Sequence, residues 1–204
     1  MPRPRSLTTD DLAAAALAVI DRDGLSALTM RAVAKELNMA TMALYRYVPD
    51  RDRLEVLVAD RVLNPIEVAL PPELDWRERI ATLLDRVRAV VSAHPAALPL
   101  TLRHRQNSAA TMRWIEAMLT VLTEAGFTGP DLVIAQRTVV GFLVGHLENH
   151  HYASITGPGT AALAHAESYP LLARTAGLAS AMSPDDEFRG GLEIVLRGLA
   201  ESLR

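Results

Sequence analysis

Apolar side chains recur along this 204-residue chain three and four positions apart, and runs of alternating β-branched residues are missing. That spacing marks one face of a helix and leaves no segment suited to a half-buried strand. Leu12, Ala15, Ala16, Val19 and Ile20 show it near the start; Phe188, Leu192, Val195, Leu196, Leu199 and Leu203 repeat it near the end. The chain holds 32 alanines and 30 leucines, the strongest intrinsic helix formers. The fold class expected is all-α.

Capping residues divide the helices. Thr8 or Thr9 with Asp10 and Asp11 starts the first, and Gly24 stops it. Thr29 caps a second, short helix with Met30, Val33, Ala34 and Leu37 inward. Asn38 follows, able to take the left-handed conformation of a tight turn. A third helix is expected from Ala40 to Tyr47, ended by Pro49, and Asp50 caps a fourth, broken by Pro65. A proline- and leucine-rich linker, Asn64 to Leu74, leads to a helix started by a capping box of Asp75 and Glu78 and broken at His94–Pro95. Further helices are expected over 97–106, from Ser108 to Ala125, and from Gly129 to Tyr152. Gly157–Pro158–Gly159 reads as a loop, shorter helices interrupted by Pro170 fill 160–181, and Ser183 with Pro184 starts the last helix.

Composition narrows the functional classes. Cysteine is absent, which removes disulfide frameworks, thiolate metal sites and cysteine nucleophiles. The longest apolar runs fall far short of the roughly 18–20 residues of a membrane span. The opening MPRPRSLTTDD has no hydrophobic segment behind its arginines, so a cytoplasmic location and no membrane partner are expected.

The net charge of −3 announces no partner, but its distribution does. Residues 29–49 carry Arg31, Lys35 and Arg46 against Glu36 alone, and Arg3 and Arg5 precede the first helix without an acid nearby. A basic patch on an otherwise neutral small domain suits a phosphate backbone. Two short helices, Thr29–Leu37 and Ala40–Tyr47, joined by a tight turn, have helix-turn-helix dimensions, in which the second helix enters the major groove.

The run LTMRAVAKELNMATMALYRYVPDRDRLEVLV resembles the DNA-binding segment of the TetR family of bacterial one-component regulators, over roughly residues 8–62. The resemblance implies an N-terminal three-helix DNA-binding bundle with a helix-turn-helix at residues 1–64, and a helical effector-binding and dimerisation domain at residues 65–204. Carried over by position, it implies that Thr29 caps the second helix and meets a phosphate while Arg31 reaches a base edge. Thr41, Met42 and Tyr45 would face the groove, Ala43 and Tyr47 would lie beside the backbone, and Arg51 would pair with a phosphate. Arg3 and Arg5 would form a minor-groove arm. Asn38 stands where the family usually has glycine, and Met42 implies apolar rather than hydrogen-bonded contact.

A reader of two half-sites needs a symmetric partner. The resemblance places a four-helix homodimer interface on the long helix and the last one, two from each subunit, with Gly141, Val144, Gly145, Leu192, Val195 and Leu199 as the candidate interface residues. Candidate effector contacts are His104, Trp114, Met118, Phe142, His146, Asn149 and His150. The function expected is a non-enzymatic repressor without cofactor or metal, bound to a palindromic double-stranded DNA operator and released by a small molecule. Two alternatives stand beside it: a helical protein-interaction module, and a metal-dependent hydrolase built on His146, His150 and His151. The run HLENHH lacks the HExxH order of a zinc protease, and no GxSxG, P-loop or dinucleotide fingerprint occurs.

Overall fold

The computed structural model describes residues 7–203, which contain helices and turns and no strand. The helices are α1 (Thr9–Asp23), α2 (Met30–Glu36), α3 (Thr41–Leu44), α4 (Arg51–Leu63), α5 (Trp76–Ser92), α6 (Leu98–His104) and α7 (Ala109–Glu124). They are followed by α8 (Gly129–Tyr152), α9 (Pro158–Leu163), α10 (Pro170–Ala179) and α11 (Pro184–Glu201). Single 3₁₀ turns at Leu25–Ala27, Pro95–Ala97 and Arg105–Asn107 link some of them. The two arginines expected to form a minor-groove arm, Arg3 and Arg5, lie outside the described residues.

The caps form as the side chains dictate. Thr8 Oγ1 accepts from the Asp11 amide at 3.1 Å while Asp11 Oδ2 accepts from the Thr8 amide at 2.9 Å, closing a capping box. Asp75 and Glu78 close another, and Asp50 Oδ1 accepts from the Arg53 amide at 2.8 Å. Ser183 Oγ caps α11 through the Asp186 amide at 3.0 Å. These bonds satisfy backbone donors that a helix start leaves unpaired.

The chain packs as two compact units. The first takes in residues up to Ala69 together with Asp85–Ala117; the second takes in Leu70–Leu84 and residues from Met118 onward. In the first, α1 packs on α4, α4 on α6, and α2 on α1 and α3. Its core is Leu12, Ala16, Val19 and Ile20 of α1, Val33 of α2, Leu44 and Val48 around α3, and Leu54, Val58 and Ala59 of α4. In the second, Ile80, Leu83, Met118, Phe127, Val139, Leu143, Phe188 and Leu192 form the core, and α8 packs against α11.

Two expectations are corrected. The third helix ends at Leu44 rather than Tyr47. Beyond it the bonding tightens to i→i−3, with Arg46 donating to the Ala43 carbonyl at 3.3 Å and Tyr47 to the Leu44 carbonyl at 2.9 Å, so the segment closes in 3₁₀-type turns. The segment Gly157–Pro158–Gly159 is not merely a loop: Pro158, with its fixed φ and missing donor, opens α9.

The turn between α2 and α3 is a Schellman motif. The Met39 amide donates to the Ala34 carbonyl at 2.9 Å, the Asn38 amide donates to Lys35 at 3.0 Å, and Asn38 takes φ +52°. Among the described residues no other non-glycine residue has positive φ. An Asn38→Gly variant should therefore match the parent in chemical denaturation to within a few tenths of a kcal/mol. Asn38→Val should lose about 1–2 kcal/mol, because a β-branched side chain meets the left-handed penalty in full.

Candidate nucleic-acid interface

Thr29 Oγ1 accepts from the Ala32 amide at 3.1 Å and so fixes the first turn of α2. One turn on, Arg31 and Lys35 are exposed. With Thr29, Ala32, Met39, Ala40 and Thr41 they line an open groove of about 600 Å³ between α2 and α3. The α3 segment contributes Met42 at 77% exposure, with Tyr45 and Tyr47 also exposed and Thr41 and Ala43 half-buried beside them. Apart from Arg3 and Arg5, the residues expected to contact DNA all lie between Thr29 and the first turn of α4.

Ion pairing sorts the cations. Glu36, the one acid of residues 29–49, turns away to Arg22 of α1 at 3.0 Å. The side chains of Arg31, Lys35, Arg46 and Arg53 make no ion pair or hydrogen bond among the described residues. They are left as free positive charges on a unit whose other arginines are largely committed. Arg46 already belongs to the basic patch legible in the sequence; Arg53 carried no expectation, and the signal that singles it out is tertiary, the lack of an ion-pair partner among the described residues.

Arg51, expected to pair with a phosphate, is half exposed and holds an acid through one of its nitrogens. Its Nε donates to Glu55 Oε1 at 2.8 Å within α4. Glu55 Oε2 accepts from Arg103 at 3.1 Å and lies 3.1 Å from His104 Nε2, both at the end of α6. Burial alone would raise the Glu55 carboxyl; hydrogen bonds from His104 and Arg51, and the charges of Arg51 and Arg103, outweigh it and hold the pKa below the ordinary 4.5. Asp52 comes close enough to Glu55 and His104 for the three to share a cation. Both Glu55 oxygens already carry guanidinium or imidazole partners, however, and two arginines would repel an incoming ion.

His104, a candidate effector contact, is buried to 4% exposure against Glu55. Trp114 and Met118 of α7 are likewise buried. Phe142, His146 and His150 run down one face of α8, with His146 stacked between its neighbours at 6.4 and 6.2 Å and 4.8 Å from the ring of Phe188. Asn149 is exposed. On the expected dimer face, Gly141 is exposed and Val144, Gly145 and Val195 are half-buried, whereas Leu192 and Leu199 belong to the core of their own unit. The close approach of α11 to α8 uses a different glycine: a Cβ on Gly191 would stand 2.8 Å from the Phe142 ring, while Gly141 and Gly145 face open space.

Two family models match the chain in tandem. The model described as bacterial regulatory proteins, tetR family, matches residues 6–54, and that described as tetracyclin repressor-like, C-terminal domain, matches residues 69–203. The chain belongs to the TetR family. The HTH-type transcriptional repressor DrrR1 of Streptomyces coeruleorubidus is 35% identical over 74% of this chain, which spans 56% of that repressor's length. A possible TetR family transcriptional regulator from Streptomyces coelicolor A3(2) superposes with a TM-score of 0.86 at 28% identity, covering 97% of this chain and 100% of the other. The Streptomyces coelicolor TetR family protein ActR, solved in complex with actinorhodin, gives a TM-score of 0.81 at 26% identity and 97% coverage of both chains. Among the described residues no helix is long and apolar enough to cross a membrane.

The depressed Glu55 pKa has a sign. A carboxyl held below its unfolded value contributes stability that is fully present above that value and is lost as pH falls through the folded one. Denaturation of the parent between about pH 6 and pH 3 should therefore show an acid loss that Glu55→Gln reduces.

Proposed function

We propose that this protein is a homodimeric repressor that binds operator DNA through α2, α3 and the first turn of α4, and that a small-molecule effector releases it. The observation that carries the reading is the surface of α2 and α3. A tightly turned helix pair presents Met42, Tyr45 and Tyr47 together with unpaired Arg31, Lys35 and Arg46. Arg31 reads a base edge, the geometry in which arginine forks onto guanine. Thr41, Met42 and Tyr45 face the groove; Thr29, Ala43 and Tyr47 lie along the backbone, where Lys35, Arg46 and Arg53 add phosphate contacts. Arg51 serves the backbone through its Nη donors while its Nε stays on Glu55.

In this reading residues 1–64 form the DNA-binding domain and residues 65–204 the effector and dimer domain, a division supported by the two family matches at 6–54 and 69–203. The dimer is built on α8 and α11. Val133 and Ile134 of α8 and Ile194 of α11, the last 68% exposed, supply apolar surface beside Gly141, Val144, Gly145 and Val195, with Leu192 and Leu199 supporting the face from beneath. The dimer sets two reading helices about 34–36 Å apart, one turn of DNA. The effector contacts are Met118, Phe142, His146, Asn149 and His150, a reading supported by the ligand complex of ActR. The effector acts through its differential affinity for two conformations, about 1.4 kcal/mol for each factor of ten. The protein works in the cytoplasm and needs no catalytic step.

The test is fluorescence anisotropy against the DNA immediately upstream of its own coding sequence, with an unrelated duplex as competitor, at two salt concentrations. Competitor-resistant binding that weakens steeply with salt is expected. No binding at low salt by a folded dimer would overturn the reading. Arg31→Ala should cost about 1–3 kcal/mol and relax sequence preference, while Lys35→Ala or Arg46→Ala should weaken both duplexes alike and flatten the salt slope. Ile194→Asp should yield a monomer by light scattering and abolish competitor-resistant binding.

A further inference from the structure

Glu55 and His104 are the two titratable side chains buried among the described residues, and they meet each other. Taking a carboxylate out of water is costly, and apolar replacements for buried ionic groups are often as stable or more so. What such a pair adds is geometric: it tolerates one arrangement. Glu55 receives donors from two directions, Arg51 along its own helix at 2.8 Å and Arg103 and His104 across the α4–α6 contact at 3.1 Å each. A displacement of α4 by about 1 Å away from α6 takes the His104 contact out of hydrogen-bond range. It then leaves a buried charge short of partners, whereas the Leu54 and Val58 contacts beside it change only gradually.

The position of α4 is also the position of the reading surface. Three residues separate Tyr47 from the start of α4, and they include buried Val48 and the cap residue Asp50. Arg53 lies in the first turn, and Glu55 stands one turn after Arg51.

We propose that Glu55 and His104 are positioning residues for operator binding, a buried pair that fixes α4 on α6 in the one register that presents the α2–α3 surface correctly. The inference deepens the operator-binding reading above and rests on it. Arg103, 61% exposed, contributes little by itself.

The experiment compares His104→Leu, which removes the donor, with His104→Gln, which keeps an N–H able to reach Glu55 Oε2. Each is titrated with the DNA upstream of its own coding sequence and with an unrelated duplex, and hydrogen exchange of the α4 amides is followed in the free protein. The Leu variant should lose about tenfold in affinity for the upstream DNA, keep its affinity for the unrelated duplex and exchange faster over residues 51–63. The Gln variant should stay near the parent in all three. A folded Leu variant with the parent's affinity ratio and α4 exchange would overturn the inference, as would an equal loss on both duplexes. A parent that binds both duplexes alike would instead overturn the operator reading, and this role with it.

Discussion

Leu44 and Val48, both essentially inaccessible to solvent, hold the surface that this chain offers to a partner. The α3 helix has four residues and no side-chain cap, far below the length at which a helix persists in water. Its backbone is imposed from below, by two buried apolar anchors and by its packing on α2. Burying a leucine side chain is worth about 1.5–3 kcal/mol. Met42, Tyr45 and Tyr47 can stay exposed because the residues between them meet that demand.

Electrostatics adds a second layer to the same frame. Acids on α1 and α4 draw in Arg22, Arg51 and Arg61, and Glu36 is withdrawn from the groove by its pairing with Arg22. Among the described residues around α2 and α3, the cations left without an ion-pair partner are Arg31, Lys35, Arg46 and Arg53. A domain with no net charge thus presents a positive face through selective neutralisation elsewhere, and salt weakens such a face through screening without loosening the core.

Much of this was legible because it is local. Thr8, Thr29, Asp50, Asp75 and Ser183 cap helices through bonds that span three residues, and Asn38 announces its turn by the conformation it tolerates. The end of α3 was misjudged because side-chain spacing does not distinguish an α-helical turn from the tighter i→i−3 turns that Arg46 and Tyr47 make. The Glu55–His104 pair was invisible for the opposite reason: 49 residues separate its members, and neither is unusual alone. The same holds for Gly191, whose part in admitting the Phe142 ring depends on a crossing that no sequence spacing encodes, whereas the conspicuous Gly141 and Gly145 face open space.

The sparse lysine content has a consequence of its own. Lys35 is the only lysine in the chain, and it stands exposed on the groove between α2 and α3. Every other basic side chain is an arginine, inert to acylation under conditions that modify amines. Acetylation of a lysine side chain in this chain therefore has a single address, on the positive face itself, where it erases one of that face's unpaired charges.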